Sequence, residues 1–376
     1  MKPYIAINAS ALIKRNKTGV EWYVWQLLKY LAREWKESDP PIVLFAPKKL
    51  VSSSDLQNIP FLKKNWHLKL LKGNFLWTQY HLLKFLKRYP PLVLFSPSYI
   101  SPYFLPKNIP TVNVVHGLEG EYFPEFKTIK QIIAEYYWVV PVLKKSTRLI
   151  AVSEHTKKDL NYFYHIPLAQ IKTVLSGPGT LENDEIGNLS LRKSTKLIKF
   201  LFLGGFRERK NLITALKIFL ELKKLTKKNT QLLIAGNISK NNPIVNNLIK
   251  LGEKNIVLLG YISEAEKKRQ LKSAHFLLYP SFYEGFGFPV LEAQAFGAIP
   301  VVLKGSGLNE VGGRGIIELA PPSKNKSLGI ELMKIIEDPV KQKSLRQLGL
   351  ENAQKFSWQS CAREVRKILL NFSIKG

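Results

Sequence analysis

At 376 residues the chain is too long for one ordinary core and fits two domains. An apolar fraction of 45% excludes a disordered chain, and the lone cysteine, Cys361, excludes both an internal disulfide and a cysteine-built zinc site. A formal net charge of +29 favours anionic partners, namely nucleic acid, an acidic membrane surface or phosphorylated substrates, although a lysine- and isoleucine-rich genome would raise it as well.

No run reaches the roughly 18 apolar residues of a membrane-spanning helix, and Met1-Lys2-Pro3 does not lead into a signal peptide. The chain is therefore expected to keep its N-terminus and to work in the cytoplasm. Its five aspartates, Asp39, Asp55, Asp159, Asp184 and Asp338, are scattered, so no local acidic pair offers a metal site. A diphosphate ligand would then have to be neutralised by Lys, Arg and helix N-termini.

Short β-prone runs at Tyr4–Asn8, Ile42–Ala46, Leu92–Phe95, Thr111–His116 and Arg148–Val152 alternate with helical patterns. Such alternation predicts a parallel sheet with helices on both faces. After the first run, Asn8 to Gly19 form a loop, and Thr18-Gly19-Val20-Glu21 opens a helix carrying Tyr23, Leu27, Leu28 and Leu31 on one face. Gly19 could let the backbone approach a phosphate. Lys63 to Arg88 mixes basic residues with Trp66, Phe75, Trp77 and Tyr80, and Tyr136-Tyr137-Trp138 with Lys144-Lys145 repeats the mix. Basic and aromatic residues together suit an anionic membrane interface; helices with a solvated basic face and an aromatic core face explain them equally well. His116 stands at a strand's carboxyl end, where open parallel sheets bind ligands, although a lone histidine is more often structural.

Ser176–Lys196 holds Gly177-Pro178-Gly179 and few apolar residues. This divides the chain into an N-terminal domain (1–176), a linker (177–196), a C-terminal domain (197–357) and a last helix (358–376) capped by Ser357 and expected to pack back on the N-terminal domain. A second series of strands follows at Ile198–Leu203, Gln231–Ala235, Ile256–Leu259, Phe276–Tyr279, Ile299–Leu303 and Gly315–Leu319. The first ends in Gly204-Gly205, and Arg209-Lys210 then sit at the start of a helix with Leu212, Ala215, Leu216 and Phe219 on one face. Cations are unfavourable there, and an anionic ligand would resolve the conflict; an exposed basic turn is the plain alternative. In Glu284-Gly285-Phe286-Gly287-Phe288-Pro289-Val290-Leu291-Glu292, the glycines permit close backbone approach and Pro289 fits a first helical turn. Backbone N–H groups around Val290 and Leu291 would face a phosphate, and Glu284 and Glu292 could accept hydroxyl hydrogen bonds. An acidic first turn that merely suits the helix dipole reads equally well. No dinucleotide G-x-G-x-x-G follows any strand.

Taken together and in order, these segments resemble the retaining, GT-B-fold glycosyltransferases of family 4, the group 1 transferases. The resemblance rests on Glu284 to Glu292, on Gly204 to Asn211, on Ala151-Val152-Ser153-Glu154 and on Ser306 to Val311. It implies two Rossmann-like domains with parallel sheets facing across a cleft. It implies that Arg209, Lys210 and the N–H groups near Val290 and Leu291 hold a diphosphate, with Gly19, Gly204 and Gly205 nearby. Glu284, His116 and the backbone at Phe286, Gly287 and Phe288 would contact the donor sugar, and Glu292 the ribose. The implied reaction is retaining, metal-independent transfer of a hexose, with mannose preferred, from a GDP- or UDP-sugar. The acceptor would be a saccharide or lipid-linked saccharide of the cell surface, and no nucleic-acid partner is expected. Gly117 stands where family members often have Asp, Gly205 where some have Arg and Asn309 where Pro is common. The rival readings are a nucleic-acid-binding protein, for which no zinc or RNA-recognition motif is present, and a nucleotide-sugar epimerase on the same fold.

Overall fold

The computed structural model describes residues 2–12, 17–48, 62–73, 76–98, 101–182, 197–204, 208–237, 243–251, 254–320 and 327–373. They form two units, Met1–Gly179 with Ser357–Gly376, and Thr180–Phe356. The unit boundary falls at 179/180, inside the stretch expected as a linker, and most of that linker, 183–196, lies outside the described residues.

In the first unit the strands are β1 (Ile5–Asn8), β2 (Ile42–Pro47), β3 (Trp66–Leu71), β4 (Val93–Ser96), β5 (Thr111–Val115), β6 (Arg148–Ala151) and β7 (Ile171–Thr173). All pair in parallel, in the order β3-β2-β1-β4-β5-β6-β7. β1, β2 and β4 are buried at every position, as strands covered by helices on both faces must be.

The helix Trp358–Leu370 completes this unit by packing on the helix Gly19–Glu34. The Trp358 indole N–H donates to the Gly179 carbonyl at 2.9 Å, and its ring meets Tyr23 edge-on at 5.4 Å. Gly177 makes room for it: a Cβ there would lie 2.3 Å from the ring. Arg366 grips Asp39 through two hydrogen bonds, at 2.8 and 2.7 Å, and Ser357 caps the helix by accepting from the Gln359 and Ser360 N–H groups.

The strands of the second unit are β8 (Leu197–Leu203), β9 (Asn229–Ala235), β10 (Ile256–Gly260), β11 (Phe276–Leu278), β12 (Ile299–Leu303) and β13 (Ile317–Leu319), all parallel, in the order β10-β9-β8-β11-β12-β13. Alternation along β8 divides its side chains between two cores. Phe200 and Phe202 join Leu216, Phe219 and Phe276 on one face, whereas Leu201 and Leu203 join Leu277, Val290 and Val302 on the other.

The sequence-based reading of Lys63 to Arg88 is corrected in part. Trp66–Leu71 is an edge strand, Trp66 and Trp77 are buried, and Phe85 packs against the core around Trp77, because the sheet's edge needs aromatic cover. Phe75 lies outside the described residues. The second basic-aromatic stretch behaves in the opposite way. A helix runs through Ile129–Ala134 into a π-turn at Glu135–Val139, with Ile129, Ile132, Ile133, Tyr136, Tyr137 and Trp138 all exposed. Glu135 is the inward anchor: it accepts from the Tyr164 hydroxyl at 2.8 Å and pairs with Lys127, which turns the apolar stripe at i, i+3, i+4 and i+7 outward. No helix among the described residues is long and apolar enough to cross a membrane.

Candidate active site

The polar centre of the second unit is built from the ends of β8 and β11. After β8, Gly204 donates its N–H to Ala235 and lies beneath the aliphatic stem of Lys210. Gly205 lies outside the described residues. A single 3-10 turn at Glu208–Lys210 and the left-handed Asn211, whose side chain accepts from the Thr214 N–H at 3.3 Å, start the helix Leu212–Leu225. This places Arg209 and Lys210 over the end of β11.

The Arg209 guanidinium and the Lys210 ammonium both reach Glu284 Oε1, at 2.9 and 2.7 Å, and the Tyr279 hydroxyl donates to the same oxygen at 3.1 Å. Lys210 also bonds the Tyr279 hydroxyl and lies over that ring. The backbones are tied together as well: Phe282 N–H donates to the Arg209 carbonyl at 2.9 Å, and Arg209 to the Tyr283 carbonyl at 3.3 Å. Burial would push the Glu284 carboxyl up, but Lys210 and Arg209 outweigh it and hold it at about 2, so it is ionised. Burial, with the neighbouring Glu284 charge, keeps Tyr279 protonated and a donor. The charge conflict read at this helix start is therefore resolved within the chain: Glu284 is the anion. With Oε1 saturated, Oε2 remains to accept from a ligand; among the described residues nothing is bonded to it.

Gly287 adopts φ +94° and caps the helix Phe288–Ala295. A Cβ there would come 2.2 Å from Leu308, so glycine is required on grounds of both backbone and space. The expectation of open donors around Val290 and Leu291 is corrected at Val290. Its N–H donates to the Gly287 carbonyl at 3.0 Å, because the left-handed turn aims that carbonyl back into the helix. The Val290 and Leu291 side chains are core, and Phe286 packs edge-on against Phe288 and Phe356.

Glu292, one turn further on, is not part of the Glu284 cluster. Its Oε1 accepts from Lys267 at 2.9 Å and from the Thr180 N–H at 3.4 Å. Lys267 and Tyr279 carry no motif signal in the sequence. Lys267 sits in the helix Glu264–Ser273, whose charged composition reads as a solvated surface.

In the first unit, His116 follows β5 and its Nε2 lies 2.8 Å from the Pro97 carbonyl. A carbonyl only accepts, so this nitrogen carries the proton and Nδ1 is left as an acceptor. Burial pulls the imidazole down to about 4, against the opposing effects of the Pro97 carbonyl and Glu21, so the ring is neutral near pH 7. Its face is met edge-on by Tyr23 at 4.7 Å, from the helix that begins at Gly19. Gly19 is the first residue of that helix, and Glu21 folds back to accept from the Thr18 N–H at 3.0 Å. Ser153, at the end of β6, caps the next helix by accepting from the Thr156 N–H at 3.0 Å.

Two parallel, doubly wound Rossmann-like sheets in one chain are the GT-B architecture of glycosyltransferases. Solved structures share this fold. Sucrose-phosphate synthase from Thermosynechococcus elongatus superposes with a TM-score of 0.71 at 15% identity, covering 100% of both chains. The Anabaena protein HepE in complex with UDP-glucose does so with a TM-score of 0.70 at 12% identity, covering 98% of this chain and 99% of its own. The model described as Glycosyltransferase Family 4 matches residues 17–177, and that described as Glycosyl transferases group 1 matches residues 188–371. The chain belongs to this family of glycosyltransferases. Among curated relatives, the O-antigen chain mannosyltransferase B of Escherichia coli is 24% identical over 95% of this chain and 97% of its own length.

Proposed function

We propose that the protein transfers a hexose, with mannose the preferred reading, from a GDP- or UDP-sugar to a saccharide or lipid-linked saccharide, with retention and without a metal. The carrying observation is the convergence of Arg209 and Lys210 on Glu284 Oε1 at 2.9 and 2.7 Å. These are two cations against one carboxylate, held in place before any ligand arrives. A donor diphosphate exchanges with Glu284 for part of their hydrogen bonding, and the ionised Glu284 accepts from hydroxyls of the sugar. As the bond from the anomeric carbon to the diphosphate oxygen breaks, charge gathers on that oxygen, where Arg209 and Lys210 stabilise it. The acceptor oxygen attacks on the face of departure, and its proton passes to the departing phosphate oxygen. His116 Nδ1 is suited to accept from a sugar hydroxyl, and Glu292 from the ribose. The mannose preference is supported by the Escherichia coli relative's name and by the Gly-Phe-Gly-Phe-Pro form of the segment.

The test is a thermal-shift panel of nucleoside diphosphates and nucleotide sugars in EDTA and then in magnesium, followed by NMR of the product's anomeric configuration. A stabilising shift with one base that survives EDTA, and a product of retained configuration, are expected. Binding that requires magnesium, or an inverted product, would sink the corresponding part of the reading.

The membrane reading is supported by the outward stripe on Ile129–Trp138, where Ile129 is 76% and Tyr136 70% exposed, with Lys130 exposed within it and Lys144 and Lys145 exposed at the end of the next helix, Val140–Lys145. Apolar and aromatic side chains bordered by lysine match an anionic lipid surface. A lipid-linked acceptor would lie at such a surface.

A further inference from the structure

We propose that Lys267 is a positioning residue for the nucleoside end of the donor: by holding Glu292 Oε1 it leaves Oε2 to receive the ribose hydroxyls. The proposal rests on the reading of Glu292 as the ribose contact. Glu292 is only 2% exposed and the Lys267 side chain 17%, so this is not a solvated surface pair. A carboxylate so placed is costly unless a cation and hydrogen bonds compensate it.

The Lys267 ammonium is in turn fixed from the far side. It lies 2.6 Å from Glu264 Oε2, and that same oxygen accepts from the Thr180 hydroxyl at 2.8 Å. Thr180 also donates its backbone N–H to Glu292 Oε1 at 3.4 Å. The result is a closed ring of Glu292, Lys267, Glu264 and Thr180, in which every described contact to Glu292 falls on one oxygen. A carboxylate has about four acceptor positions, and among the described residues none is bonded to those on Oε2. The ring carries two carboxylates and one ammonium. This net negative charge repels phosphate and favours neutral O–H donors such as a ribose diol. A merely structural ion pair would steady the second unit without affecting which nucleotides bind. A positioning lysine must set the preference for ribose over a sugar without hydroxyls.

The experiment measures calorimetric affinities of UDP, GDP and their 2′,3′-dideoxy forms for the full chain. For the base that binds, the natural protein should prefer the ribose form by about 10- to 100-fold, the range of hydrogen bonds to a charged group. Lys267→Met should bring this ratio close to one by weakening the ribose form alone, and Lys267→Arg should keep much of it. A folded Lys267→Met protein with the natural ratio overturns the proposal. If that variant does not fold, Lys267→Gln keeps one N–H donor for Glu292 and should still lower the ratio several-fold; an unchanged ratio overturns the proposal in the same way. A natural protein that does not distinguish the two forms removes the ribose contact itself, and the proposal with it. The two failures are thus told apart by the natural protein's ratio.

Discussion

The two units share a strand order but not a chemistry. In each sheet the first strand in sequence lies inside, with the second and third on one side and the fourth, fifth and sixth on the other. At the strand ends of the second unit, charge is concentrated and internally paired, with Arg209 and Lys210 on Glu284 and Lys267 on Glu292. At the strand ends of the first unit stands a neutral imidazole against an aromatic ring, and the segment that unit most clearly offers to a partner is an apolar helix face. One scaffold therefore serves two tasks, because the sheet fixes only where strand ends fall and the loops decide what stands there.

The largest expected effect breaks the charged side of this comparison. Lys210→Ala should lower turnover about 100- to 1,000-fold, the cost of removing one preorganised donor to a developing oxyanion. Arg209 still pairs with Glu284, so the fold should survive; circular dichroism with steady-state rates checks both, and a normal turnover number would remove Lys210 from the reaction.

Next in size is Gly287→Ala, which should cost the second unit about 1–3 kcal/mol through a strained φ and the Leu308 clash. Gly305→Ala is the control: φ is +83° there, but no atom of the described residues beyond its two chain neighbours lies within 4 Å of the added carbon. It should cost about 1–2 kcal/mol, the left-handed penalty alone. Equal melting losses in the two variants would deny the close approach a role.

On the apolar side, replacing both Ile133 and Trp138 with serine should weaken sedimentation with phosphatidylglycerol vesicles about tenfold or more. It should leave the affinity for soluble nucleotide unchanged. If the natural protein ignores such vesicles, the stripe has another use.

The most gradual effect is one of pH, and it separates the units by window. His116 has a folded value of about 4 against an ordinary 6.5. The unfolded chain therefore binds a proton between pH 6.5 and 4 that the folded one does not, and stability falls as pH drops through that range. Glu284, held at about 2 against 4.5, contributes stability above 4.5 that is lost only as pH falls from there towards 2. Each slope is on the order of 1 kcal/mol per pH unit. Hydrogen exchange on acidification should loosen the first unit before the second, and His116→Gln should flatten that early loss; simultaneous loosening would contradict the assignment.

Most of the fold was legible because parallel strands here are largely apolar runs: β1, β2, β4, β5, β6 and all six strands of the second unit, among them the exposed edge strand β10, whose Ile256-Val257-Leu258-Leu259 is apolar throughout, and the edge strand β13, broken only by Glu318. The two that escaped, β3 and β7, are edge strands. Trp66-His67-Leu68-Lys69-Leu70-Leu71 and Ile171-Lys172-Thr173 are partly exposed and carry charge, so no apolar run marks them. Arg209, Lys210 and Glu284 were legible as candidates from their places after strands. Their mutual pairing was not, because 74 residues separate Lys210 from Glu284 and only the adjacency of β8 and β11 joins them. Lys267 gave no signal at all, since one lysine among charged neighbours on a helix looks like any solvated one.

The helix Trp358–Leu370 belongs to the first unit although the whole second unit precedes it in the chain. Order of synthesis and order of completion are thus reversed. On a ribosome adding about 5–20 residues per second, β7 emerges on the order of 10–40 s before Trp358 can reach Tyr23 and Gly177. For that interval the nascent first unit displays the apolar side of Gly19–Glu34 that this helix will cover, a surface for chaperones to hold. The second unit, contiguous in sequence, can close first and waits for its older neighbour to finish.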